Sequence, residues 1–186
     1  MFEPKSRFLR VATGTTHIET TAVTAVETLS RASIPTLICG GMALQELGYA
    51  RMTTDVDIIV PNVAAAREYL SIRGFRPNPG SSMTMTDNNT KVEIDLLPGG
   101  GSVGPGPLKL PLPSEVVSVP KFLSLEALIA TKLSSYIGSP LVRNRDLSDV
   151  IELVKIRKPS RDLDIPIEVK ETYQKIWDGL KEANAI

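Results

Sequence analysis

Two aspartates at alternate positions of an otherwise apolar run, Asp55-Val56-Asp57-Ile58-Ile59-Val60, are the residues of this chain best suited to chemistry. The run reads as a strand, and alternate side chains of a strand share a face. Asp55 and Asp57 therefore point the same way, their Cα atoms roughly 6.5–7 Å apart. Val56, Ile58 and Val60 form the opposite, apolar row. Two like charges on one strand face repel each other unless a cation binds between them. Hard divalent ions with oxygen ligands, Mg²⁺ above all, suit such a pair.

Upstream, Leu37-Ile38-Cys39 runs into Gly40-Gly41, the pattern of a strand turning into a helix. Backbone N–H groups at such a turn approach an anion closely, because glycine has no Cβ in the way. Downstream, Lys91 to Leu97 reads as a second strand with Val92, Ile94 and Leu96 on one face and Glu93 and Asp95 on the other. Placed beside the first strand, it adds a third carboxylate, from Asp95 or from Glu93. Two Mg²⁺ ions more than balance three carboxylates, and the surplus charge attracts a triphosphate. One ion would activate an attacking hydroxyl and the other would steady the leaving pyrophosphate. The protein supplies position and field. These residues read as the metal face of a nucleotide-handling enzyme.

The elements that position these groups follow from pattern and punctuation. A helix is expected from about Thr20 to Ala32, stopped by Pro35, and a short buried strand over Thr36 to Cys39. Met42 to Leu47 reads as a helix closed by Gly48. Asn62 caps a helix over Val63 to Arg73, Gly74 closes it, and Phe75 to Pro77 begins another strand. Met83 to Thr86 and Lys91 to Leu97 flank the turn composition Asp87-Asn88-Asn89-Thr90, which makes a hairpin. The Gly- and Pro-rich stretch Pro98 to Pro113 has few apolar anchors, so it is a surface excursion or a substrate-contacting loop. Glu115 to Val119 is expected as a short strand ended by Pro120. Ser124 caps a helix from Leu125 to about Ile137. Two more helices run from about Arg145 to Ile156 and from Ile167 to about Ala183. The last presents Val169, Tyr173, Ile176, Trp177 and Leu180 as its packing stripe. Strands crowd the first two-thirds and helices the last third. The expectation is one α+β domain over 1–186, with a mixed sheet core at about 36–120 and a helical part at about 124–186.

Composition bounds the rest. The chain has 186 residues, 42% hydrophobic and 23% charged, ordinary for a globular protein with a real core. Its formal net charge is zero, so no overall pull toward nucleic acid or an anionic membrane exists. A local basic patch is offered by Arg143, Arg145, Lys155, Arg157, Lys158 and Arg161, against Asp146, Asp149 and Glu152; a solvated helix face is the alternative. The single cysteine, Cys39, rules out an internal disulfide and a thiolate-rich zinc site, and the single histidine, His17, rules out a histidine-based one. No apolar run reaches the ~20 residues of a spanning helix. The start, Met1-Phe2-Glu3-Pro4-Lys5, lacks a secretory apolar segment, so a cytoplasmic protein is expected.

Cys39-Gly40-Gly41, a gap, and Asp55-Val56-Asp57-Ile58 resemble the signature of the nucleotidyltransferase superfamily related to DNA polymerase beta. Gly40-Gly41-Met42-Ala43, Gly48, Arg51, Thr53 or Thr54, and Asp55 narrow the likeness to the abortive-infection, type IV toxin-like nucleotidyltransferases. Glu93-Ile94-Asp95-Leu96-Leu97 resembles their third-carboxylate strand. Leu125 to Lys132 and Arg143-Asn144-Arg145-Asp146 with Asp149 resemble their downstream Lys and Arg-x-x-Asp helices. The resemblance spans about Leu37 to Val154. It implies that Asp55, Asp57 and Asp95 hold metal and do the catalysis. It favours Asp95 over Glu93 because the family's acid directly precedes two leucines. Gly40, Gly41, Arg51, Thr54, Lys132, Arg145 and Asp146 are the implied nucleotide contacts.

Some roles stay open at this level. Lys132 lies on the apolar face of its helix, where a lysine either snorkels to water or meets an anion. Arg51 reaches phosphate or pairs with Asp55. Arg145, Asp146 and Asp149 touch nucleotide or form an ion-pair cluster, and Ser82 and Thr84 are polar groups without a placed role. The implied function is Mg²⁺-dependent transfer of an NMP from an NTP to a hydroxyl of tRNA, protein or a small molecule such as an aminoglycoside. A toxin paired with an antitoxin protein is the implied setting. The alternative is a catalytically idle nucleotide-binding or scaffold module of the same fold; possession of all three carboxylates favours the enzyme.

Overall fold

A computed structural model describes residues 16–186; the charged start Met1 to Lys5 lies outside the described residues. The chain opens with α1 (Thr16–Arg31), β1 (Leu37–Ile38) and α2 (Gly40–Glu46). β2 (Asp55–Val60), α3 (Val63–Ser71) and the strands β3 (Phe75–Pro77), β4 (Thr84–Asp87) and β5 (Glu93–Pro98) follow. Three helices end it: α4 (Leu125–Gly138), α5 (Asn144–Arg157) and α6 (Ile167–Glu182). The expected caps are in place. Asn62 accepts from the Ala65 N–H at 3.0 Å and Ser124 from the Ala127 N–H at 3.2 Å. The β4–β5 turn is tied by the Asp87 carboxylate, which accepts from the Asn89 N–H at 2.8 Å.

The strands form one mixed sheet in the order β1-β2-β5-β4-β3. β2 and β5 are parallel, and the other neighbours are antiparallel. Alternation then sorts the side chains. Val56, Ile58, Val60, Ile94 and Leu96 are buried with Ala22, Val26 and Leu29 of α1 and Ala66 and Leu70 of α3. The opposite face carries the acids near the start of β2 and β5. Farther along, Ile59 joins a second buried cluster with Leu128 and Leu133 of α4, Val150 and Val154 of α5, and Val169 and Tyr173 of α6. The architecture is the expected α+β arrangement: a mixed sheet flanked by helices, with a helical C-terminal third.

Two expectations need correction. Glu115 to Val119 is not a strand. Val116 and Val119 are exposed and have no face to pack on, and Pro120 lacks an N–H. Pairing starts just beyond it: the Ile38 N–H donates to the Lys121 carbonyl at 2.7 Å and the Leu123 N–H to the Ile38 carbonyl at 2.9 Å. The Pro98–Pro113 stretch is also better anchored than its composition suggests. Leu108 and Leu110 pack on the helical cluster, and the Leu108 N–H donates to Ser134 Oγ of α4 at 2.9 Å. A Cβ on Gly106 would lie 2.0 Å from the Ser134 carbonyl oxygen, so glycine there permits the close approach.

Candidate active site

Register brings the acids together. In the parallel pair, Asp57 stands opposite Asp95 and Asp55 opposite Glu93. Asp55, Asp57 and Asp95 each offer a carboxylate oxygen within 4.8 Å of the others. Glu93 leaves the group: its exposed side chain accepts from Asn78 Nδ2 at 2.6 Å. Two hydroxyls orient the outer acids. Thr53 Oγ1 donates to Asp55 Oδ1 at 2.9 Å and Thr84 Oγ1 to Asp95 Oδ1 at 2.6 Å, with Ser81 Oγ donating in turn to Thr84 at 2.9 Å. Burial above all, with Asp55 and then Asp95 alongside, pushes the Asp57 carboxyl up from 3.8 to about 6. Three hard oxygen donors under mutual repulsion are the donor set a divalent cation fits.

The glycine pair exists for the acids as much as for any ligand. Gly40 has φ +59°, and a Cβ on it would sit 1.7 Å from Asp57 Oδ2. A Cβ on Gly41 would sit 2.4 Å from Thr53 Oγ1. The start of α2 can therefore rest directly on the acidic strand. Both glycines and the three aspartates line a cavity of about 450 Å³, whose other walls are Lys132 and Thr131 of α4, Arg51, Arg143, Asp146 and the Ser102–Gly104 stretch. Cys39 borders it too. Burial first, then Asp57, pushes its thiol up, so it packs as a neutral apolar group.

No protein-family model matches the chain, and no curated protein matches it. Among solved structures, it is similar to a crystal structure of ANT(2'')-Ia in complex with adenylyl-2''-tobramycin, at 14% identity and TM-score 0.52, over 89% of this chain and 97% of that one. A solution structure of the antibiotic-resistance factor ANT(2'')-Ia is similar at 15% identity and TM-score 0.49, over 89% and 96%. The chain has the nucleotidyltransferase fold.

Within that fold, two cations of the cavity wall, Lys132 and Arg51, are paired internally. Lys132 is buried, and its Nζ donates to Asp149 Oδ2 at 2.7 Å and to Asp146 Oδ1 at 2.9 Å. It does not snorkel; the anions it meets are the chain's own. Arg51 NH1 reaches Asp149 Oδ2 at 3.1 Å instead of pairing with Asp55, and Gln45 Nε2 holds the Arg51 carbonyl at 2.7 Å. Thr54 and Arg145 are exposed and do not line the cavity; Thr53 and Arg143 do. The correction at Thr53 was available from spacing, since it lies two residues before Asp55. Arg143 was marked by its place in the basic stretch and in the Arg143-Asn144-Arg145-Asp146 run, where the resemblance pointed to Arg145 instead. That stretch does not act as one patch: Lys155 pairs with Glu152 at 2.8 Å and Arg161 with Asp178 at 2.7 Å. Ser82 does not line the cavity, whereas Thr84 holds Asp95. No helix among the described residues is long and apolar enough to cross a membrane.

Proposed function

We propose that the protein is a metal-dependent nucleotidyltransferase that moves an NMP from an NTP to an acceptor hydroxyl and releases pyrophosphate. The observation that carries this is the convergence of Asp55, Asp57 and Asp95 from two in-register strands at one wall of an open cavity. Asp55, Asp57 and Asp95 would hold Mg²⁺, which when bound polarises the phosphates and raises the acidity of the acceptor hydroxyl. The acceptor oxygen bonds to the α-phosphorus, the α–β bridging bond breaks, and the bridging oxygen departs with pyrophosphate. Asp95 accepts the hydroxyl proton through the oxygen that Thr84 leaves free. Gly40 and Gly41 let the phosphates approach the backbone, and Lys132 with Arg51 offsets the charge of the tail.

The tobramycin adduct bound by the fold neighbour supports a small-molecule hydroxyl as one acceptor class. The resemblance of the Gly40–Asp57 run to toxin-like nucleotidyltransferases supports a tRNA or protein acceptor and an antitoxin partner. Incubating the protein with each of the four α-labelled NTPs and Mg²⁺, against total RNA, lysate protein and aminoglycosides, tests the reading. Transfer by the wild type that disappears in Asp57→Asn is expected. Undiminished label transfer by Asp57→Asn would refute it.

A further inference from the structure

Lys132 lies between two carboxylates that are not equivalent. The Asp149 side chain is 2% exposed, and its Oδ2 takes both Lys132 at 2.7 Å and Arg51 at 3.1 Å. The Asp146 side chain is 17% exposed, lines the cavity, and touches Lys132 alone among the basic side chains of the described residues, at 2.9 Å. A carboxylate buried as deeply as Asp149 keeps its charge only with partners in place, so it cannot release its cations without a large penalty. Asp146 has water available at the cavity wall and loses little when its partner leaves.

On that asymmetry, and resting on the nucleotidyltransferase reading, we infer that the two acids have opposite roles toward nucleotide. Asp149 is a positioning residue that clamps Lys132 of α4 and Arg51 of the α2–β2 connection on one side of the cavity. Asp146 is an exchangeable counter-ion that occupies Lys132 until a polyphosphate replaces it. Triphosphate binding then exchanges one anionic partner of Lys132 for another, while the cation itself stays clamped. The exchange makes the empty site electrostatically satisfied and sets a threshold that a weak anion does not pass. Orthophosphate offers too little charge to displace a carboxylate already within hydrogen-bond distance; a metal-bound triphosphate offers enough.

The two roles predict effects of opposite sign, which purely structural ion pairs would not produce. Inorganic tripolyphosphate with Mg²⁺, titrated calorimetrically into the full chain, probes the phosphate tail without a choice of base. Asp146→Asn is expected to tighten binding roughly three- to tenfold, and Asp149→Asn to weaken it by roughly tenfold or more. Glu93→Gln removes an equal charge near the acids without freeing Lys132, and is expected to change affinity by less than about twofold. Asp146→Asn binding no tighter than wild type overturns the inference, as does Glu93→Gln tightening as much as Asp146→Asn. If Asp149→Asn fails to fold, the Asp146→Asn and Glu93→Gln pair decides alone. A wild type that binds neither tripolyphosphate nor any of the four Mg–NTPs overturns the nucleotidyltransferase reading and this inference together. A wild type that binds them while Asp146→Asn is unchanged overturns this inference only.

Discussion

Replacing Asp57 by asparagine should make the metal-free protein more stable at neutral pH while removing the proposed NMP transfer. Asp57 is half-buried between Asp55 and Asp95, and its carboxyl is pushed from 3.8 up to about 6. The native state therefore holds that proton more tightly than the unfolded chain does. Where the native state binds more protons, stability falls as pH rises. Below about pH 4 both states are protonated and the group costs nothing. Between about 4 and 6 the penalty develops, and above 6 it is complete. At about 1.4 kcal/mol per pH unit, the ceiling is ~3 kcal/mol, and residual solvent access lowers the expected gain to roughly 1–3 kcal/mol. Asparagine carries no charge and escapes the penalty. Urea unfolding in EDTA at pH 7.5 should then show a higher midpoint for Asp57→Asn, with the gap closing near pH 4. Adding Mg²⁺ with NTP should raise the wild type alone, because ligand linkage needs the ligand's site. Equal midpoints at pH 7.5, or a gap that persists unchanged at pH 4, would refute the claim that like-charge crowding at this position costs the fold stability.

Other outcomes follow from the same geometry. Gly40→Ala should cost at least about 3 kcal/mol or prevent folding, since its φ is +59° and its Cβ would meet Asp57 Oδ2 at 1.7 Å; soluble yield and thermal unfolding measure this. Lys132→Met leaves Asp149 buried with Arg51 alone and should destabilise by roughly 3–5 kcal/mol in urea titrations. The double change Lys132→Met with Asp149→Leu should recover much of that loss, because an apolar pair removes the stranded charge. Asp95→Asn should lower the initial rate of NMP transfer by at least about a hundredfold, with an unfolding midpoint no lower than that of the wild type.

How much of this was legible beforehand depends on whether the signal is local. The acid row of β2, the acid row of β5, the hairpin around Asp87 and the caps at Asn62 and Ser124 all stand within a few residues of what defines them. The period of a strand and the geometry of a helix start are set by covalent chemistry and nearest neighbours, so they can be read along the chain. The choice between Glu93 and Asp95 has no local answer, because both share a face. The family likeness leaned to Asp95, and the parallel register seats Asp95 opposite Asp57 and Glu93 opposite Asp55. Likewise the sequence put Lys132 on the apolar face of its helix without showing whether it snorkels to water or which anion it meets.

Tertiary structure decided the partners. Arg51 and Asp149 are 98 positions apart, and only the packing of α5 beside α4 brings that carboxylate to both Arg51 and Lys132. The Pro98–Pro113 stretch looked unanchored because its anchors, Leu108, Leu110 and the glycine seat at Gly106, act through α4 and not through its own composition. Thus the amino-acid string by itself determined which faces carry charge and which carry apolar groups. Which charges neutralise one another, and which acids converge without a cationic partner among the described residues, depended on strand direction, register and helix docking. Those are long-range choices made by burial and electrostatics summed over the whole fold, and no window of sequence contains them.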